Sequence, residues 1–237
     1  DDSSGGSVAH PHQTRKKTMA KFDQRGNPVS YGHQAAIDAL DQAMDLLHAY
    51  QADPLTAVDQ ILVEHPDFAM AHAFRAGMLA TATDKAFESE LIRSLQAALE
   101  LAPKANDRER MHIFATRAWL AGDWDQAVEL WGRASIAWPR DLLALQLAHV
   151  GDFFLGHSHM LRDRVARVLP HWNAGVPGHG FVQGMYAFGL EESGDYEQAE
   201  ARGRAAVAVN RQDGWAVHAV AHVMEMQGRA AEGATYL

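Results

Sequence analysis

Gly122–Trp131 reads GDWDQAVELW, and Gly194–Gly203 reads GDYEQAEARG. Each opens on Gly-Asp-aromatic and places an alanine, Ala127 or Ala199, downstream of the aromatic. Glycine reaches the left-handed backbone conformation that ends a helix, and the aspartate after it accepts from the free N–H groups that begin the next. The pair therefore spells a tight turn between two helices. A third segment, GRAAEGATYL from Gly228, keeps the glycine. One helix upstream of each turn lies a small residue, Ala115, Ala187 or Ala221, and Ala76 and His149 fill that slot in the intervening segments. These slots are separated by 39, 34, 38 and 34 residues, the spacing of helix–turn–helix units. The small residue lets two helices approach, and a large aromatic fills the opening opposite. Pro139 marks an exit where a helix cannot continue. One helix pair cannot bury both its faces, so such units stack. The expected fold is all-α, a right-handed α-solenoid of antiparallel helix pairs with no sheet.

Outward from these turns, helix signal runs from Gln34 to the end of the chain, with apolar residues recurring at three and four. Glycine and proline fall between the periodic segments. The first 28 residues are rich in Ser, Gly, Pro and charge; they read as a flexible, solvated tail, 1–28, ahead of a helical unit, 29–237. Met19 reads as an original start, which would make 1–18 an added segment. The chain holds 30 acidic and 21 basic residues, a net charge of −9, so a nucleic-acid partner is excluded by repulsion. Cysteine is absent, which removes thiolate metal sites and cysteine nucleophiles. No apolar run approaches the roughly 18 residues of a membrane span, and a cytoplasmic location without a membrane partner is expected. No Gly-x-Ser-x-Gly elbow, Walker loop or dinucleotide fingerprint occurs.

The turn motif resembles the tetratricopeptide repeat, most closely over 109–139 and 180–210. A narrower resemblance runs along 26–237. GNPVS (26–30), DPLTAVDQILVEHPDFAMAHAFRAGML (53–79), PRDLLALQLAHVGDFFLG (139–156), GMYAFGLEESGDYEQAE (184–200) and WAVHAVAHVMEMQGR (215–229) are similar to the tetratricopeptide repeat protein 38 family. That resemblance implies a longer protein and carries no assigned activity. The 237 residues accordingly read as the N-terminal part of a longer chain, since a solenoid ends in a capping helix. Self-association through an apolar face near Tyr236 and Leu237 is expected.

The resemblance to the tetratricopeptide repeat implies which side chains face a concave groove: Trp119, Phe153, Phe154, Phe181, Phe188, Glu191, Trp215 and Met226, with Gln146, Glu192 and His218 among their neighbours. This gives an acidic, aromatic-lined surface suited to a peptide or partner protein with basic and apolar anchors, and no cofactor. The alternative is a small-molecule enzyme, a metal-assisted hydrolase with a His/Glu site inside the superhelix. It rests on His218, His222 and Glu225, which project from one helix face and suit a divalent transition metal such as zinc. A further ligand would come from Glu191, His179 or a residue beyond 237. Without metal, the two imidazoles line a polar groove and bond Glu225 and Glu191. His149 reads as a buried histidine held by Asp152, one turn on, and His72 as core.

Overall fold

The computed structural model describes residues 21–50 and 52–237. The expected added segment 1–18 lies outside the described residues, as do 19, 20 and 51. The described chain is all-helical apart from one short ladder. Its helices are α1 (Gln34–Ala49), α2 (Pro54–Glu64), α3 (Ala69–Thr81), α4 (Glu88–Leu101), α5 (Asp107–Leu120), α6 (Trp124–Ala137), α7 (Leu142–Leu155), α8 (Ser158–Val168), α9 (His179–Glu192), α10 (Tyr196–Val209), α11 (Gly214–Met226) and α12 (Ala230–Tyr236). Each helix packs on the next, and α3 also reaches α5 and α7 while α9 reaches α11. Among the described residues no helix is long and apolar enough to cross a membrane.

The quoted turns do what their residues dictate. Gly122 and Gly194 take φ of +84° and +80°. The following N–H groups, of Asp123 and Asp195, donate back to the carbonyls of Ala118 and Leu190. The same aspartates then cap α6 and α10, accepting from Gln126 N and Gln198 N. Upstream, Ala76, Ala115 and Ala187 are fully buried where helices press together, as their size requires. Trp131, also fully buried, is the large partner.

Two expectations are corrected at the N-terminus. A sheet exists: β1 (Lys21–Phe22) pairs antiparallel with β2 (Pro28–Val29). Residues 21–28 are also part of the fold, not of a solvated tail. The Asp23 carboxylate accepts from the N–H groups of Arg25 and Asn27 at 3.0 and 2.8 Å, closing the hairpin turn. The turn points Arg25 and Asn27 inward, where both are buried.

From there the chain runs as a strap across the N-terminal ends of α5, α7, α9 and α11. The Pro28 carbonyl accepts from Asn106 Nδ2 and Arg108 at the start of α5. Glu109, in the first turn of α5, accepts from Ser30 N at 2.9 Å and also from Ser30 Oγ. Asn27 Nδ2 donates to the Arg140 carbonyl just before α7. Arg25 Nε donates to the Pro177 carbonyl before α9, and its other nitrogens pair with Asp41 and Asp45 of α1 at 3.0 and 2.6 Å. The end of α1 lays His48 against Phe181 and Tyr50 against Trp215.

Beneath the strap, Arg108 pairs with Asp141 at 3.0 Å and His112 Nε2 meets the same carboxylate oxygen at 2.9 Å. Burial would raise the Asp141 pKa, but the charges of His112 and Arg108 outweigh it and hold the carboxyl well below its usual range. A carboxylate depressed in the folded state contributes stability that is complete above the unfolded value near 4 and is lost progressively as pH falls below it toward the folded-state value. Asp141→Asn leaves the buried Arg108 with only the more distant Asp23 carboxylate, at 3.9 Å, as an ion-pair partner, and the loss of the close partner costs about 3–5 kcal/mol at pH 7. Urea unfolding at pH 7, 4 and 3 is expected to show that loss, and a smaller loss on acidification than wild type. Equal stabilities at pH 7 would remove the ion pair from the fold's foundations.

Candidate functional site

The concentration of aromatic side chains lies where α7, α9, α11 and the end of α1 meet. Tyr50, Phe153, Phe188, Gly214, Trp215 and His218 line a cavity of about 400 Å³ there. The rings of Phe188 and Trp215 lie 4.9 Å apart, Phe153 lies 5.9 Å from Phe188, and His218 stands edge-on to Phe188 at 5.4 Å. The buried Trp215 indole N–H donates to Gln146 Oε1 at 2.9 Å, fixing the ring plane. Tyr50, left-handed at φ +50°, closes the remaining side. It can do so because residue 214 is glycine: a Cβ there would come within 2.4 Å of the Tyr50 ring.

One edge of this cavity is polar. The imidazoles of His218 and His222, one turn apart on α11, have ring centroids 4.2 Å apart. His222 Nδ1 faces Glu191 Oε2, at the end of α9, at 3.5 Å. That is an ion-pair distance and longer than a formed hydrogen bond. Glu191 is 5 % exposed, and its Oε2 has no hydrogen-bond partner among the described residues. Burial raises the Glu191 pKa, the Glu192 charge raises it further, and His222 works against both. Burial and the neighbouring His222 lower that of His218. One oxygen of Glu191, one of Glu192 and a nitrogen of His222 all lie within 4.8 Å of one another.

The residues expected from sequence divide into three groups. Phe153, Phe188, Trp215, His218 and Gln146 come together around the cavity, with Glu191 and His222 at its edge. Phe154 is exposed and, 6.2 Å from both Trp119 and Trp124, belongs to a neighbouring aromatic cluster. Three others do not face an open groove. Phe181 is buried under α1 against His48. Trp119 is buried and stacked on Trp124 at 4.3 Å, and Met226 is 62 % exposed, outside the cavity lining. Glu225 is exposed and is not one of the three groups that converge; Glu192, expected at the groove but not as a ligand, is. His179 lies with Gln183 at the start of α9, away from this cluster. His72 is only partly buried and meets the Pro66 carbonyl at 2.9 Å.

Tyr50 carries no mark in the sequence, because it sits in a connection outside the helical period; Glu192 is expected at the groove, but nothing in the sequence marks it as a ligand. No known protein-family model matches the chain.

His149 lies behind the cavity wall, edge-on to Trp215 at 4.9 Å and to Phe188 at 5.7 Å. It is fully buried, as expected, but Asp152 does not hold it. That carboxylate takes Arg164 instead, at 2.7 Å and 3.2 Å, because the guanidinium offers two parallel donors. Neither ring nitrogen of His149 has a hydrogen-bond partner among the described residues. Burial, and then the charge of Arg164, push its pKa down to about 3. Unfolded histidine protonates near 6.5, so the contribution of neutral His149 to stability is complete above that pH and falls as pH drops toward 3. His149→Leu removes two unpartnered nitrogens and is expected to leave stability at pH 7 unchanged or raise it by about 1–3 kcal/mol. Between pH 6 and 4 the wild type should lose about 1.4 kcal/mol per pH unit more than the variant. Chemical denaturation across that range decides it; parallel losses would mean that the imidazole is bonded.

Proposed function

We propose that the protein is an interaction scaffold that binds a peptide segment of a partner by seating an apolar or aromatic anchor in the cavity between α7, α9 and α11. The observation that carries the reading is the aromatic box itself: four rings and one imidazole around about 400 Å³, room for one or two side chains. The carboxylates of Glu191 and Glu192 at its edge favour a basic residue beside that anchor. In this reading the helix pairs are tetratricopeptide-like units of a right-handed α-solenoid, and the chain belongs with the tetratricopeptide repeat protein 38 family. The repeated Gly-Asp turn and the buried alanines of successive pairs support both statements. A second reading, a small-molecule hydrolase working through the His/Glu face, is favoured by the approach of His222 to Glu191.

Selection of a displayed random peptide library on the purified protein tests the first reading. Enriched sequences should carry an aromatic or branched apolar residue next to Lys or Arg. Phe153 is 46 % exposed, so Phe153→Ala should keep the helical circular-dichroism spectrum while weakening the best peptide by about tenfold, the effect of losing one side of an anchor pocket. Absence of enrichment, or an affinity indifferent to Phe153→Ala, contradicts the proposal.

A further inference from the structure

The three convergent groups at the cavity's edge are badly matched to one another without a ligand. Glu191 and Glu192 bring two carboxylates to one spot, and Glu225 adds its negative charge nearby. Among the described residues no Lys or Arg pairs with any of the three; the single ion-pair partner is the imidazole of His222. Elsewhere in the chain three buried aspartates hold arginine: Asp141 holds Arg108, with His112, Asp152 holds Arg164, and Asp41 holds Arg25. Glu191 has no such arginine. Among the buried carboxylates of the described residues, Glu191 and Asp213 each have an unpartnered oxygen, but Glu191 alone is one of three convergent ligand groups. Its free oxygen aims at His222 Nδ1 from beyond hydrogen-bond length. A buried acceptor left open in this way costs stability unless something occupies it.

We propose that Glu191, Glu192 and His222 form a binding site for a divalent transition metal ion. Two carboxylate oxygens and one imidazole nitrogen are a donor set that suits zinc, manganese or ferrous iron and is too nitrogen-rich for calcium. A positive ion satisfies the open oxygen of Glu191 and relieves the repulsion between the adjacent carboxylates. Three protein ligands leave at least one coordination position for water or a bound molecule. The ligand set differs from the one read off the helix face alone. His218 borders the site through its contact with the His222 ring, and Glu225 stays outside it. The proposal does not depend on the peptide's apolar anchor, which uses the aromatic box; a bound ion would take the two carboxylates otherwise open to a basic residue beside that anchor.

Titration calorimetry on chelator-stripped protein, with Zn²⁺ and Mn²⁺ chlorides in separate runs, tests it. One ion per chain is expected, with micromolar or tighter affinity for at least one of the two metals. Glu192→Gln, a partly exposed change that spares the core, should weaken binding by at least about tenfold, the loss that altering even a ligand's own hydrogen-bond partner produces. His222→Ala should weaken it further, with an unchanged circular-dichroism spectrum as the check on folding. Glu225→Gln should stay within about threefold of wild type, as expected for a charge outside the donor set. Failure of both metals to bind at about a hundred micromolar overturns the proposal. So does binding that Glu192→Gln and His222→Ala leave intact. Neither failure touches the peptide selection, which needs no metal.

Discussion

The buried contact between Arg108 and Asp141, with the Pro28 carbonyl on the other face of the guanidinium, is the constraint around which the N-terminal half is arranged. Asp141 is also the residue that caps α7, accepting from Ala144 N, and Arg108 stands in the first turn of α5. One ion pair therefore fixes the starts of α5 and α7, the first helices of two neighbouring pairs, against each other and against the strap. A buried ion pair is a poor source of net stability compared with apolar packing, because both charges lose their water. Its effect lies in geometry: an Arg fork accepts few orientations, so helices anchored through it cannot slide by a turn. Arg25, bridging α1 to the Pro177 carbonyl, repeats the device one helix pair further on.

This arrangement determines what the cavity can hold. Without the strap, α7, α9 and α11 would offer an open aromatic surface of Phe153, Phe188 and Trp215. With it, α1 is pinned so that its end delivers Tyr50 onto Gly214 and Trp215, and His48 covers Phe181. The surface becomes a bounded box with one polar edge. Its back wall rests on His149, whose ring nitrogens have no partner among the described residues, in contrast to His112, which meets Asp141. The site's shape thus depends on residues more than a hundred positions away in sequence, through contacts made at helix ends.

The helices were legible because their cause is local. Gly122–Asp123 and Gly194–Asp195 specify a turn by backbone conformation and capping, and the alanine slots specify close approach; neither needs knowledge of the rest of the chain. Much of the box was legible too, since the repeat resemblance assigns Gln146, Phe153, Phe188, Trp215 and His218 to one face of α7, α9 and α11. The strap was not. DQRGNP has the composition of a loop, and its order comes from Arg25, Asn27 and Pro28 meeting partners at 41, 140, 108 and 177. No periodicity encodes such pairings. Likewise Phe181 and Trp119 occupy inward positions that sequence spacing identifies correctly. What covers them, α1 in one case and Trp124 in the other, is a matter of tertiary packing that the spacing does not carry.

Hydrogen exchange of the backbone N–H groups in residues 24–30 measures the strap most directly. Gln24 N donates to Asp41 and Ser30 N donates to Glu109, both inside the fold. Breaking those bonds requires lifting the hairpin off α1 and α5, so these N–H groups should exchange as slowly as the buried turns of α5 and α7. Exchange of Gln24 and Ser30 at the rate of an unstructured peptide, while α5 and α7 remain protected, would contradict the account. The strap would then be an ornament on a set of helices that stand without it.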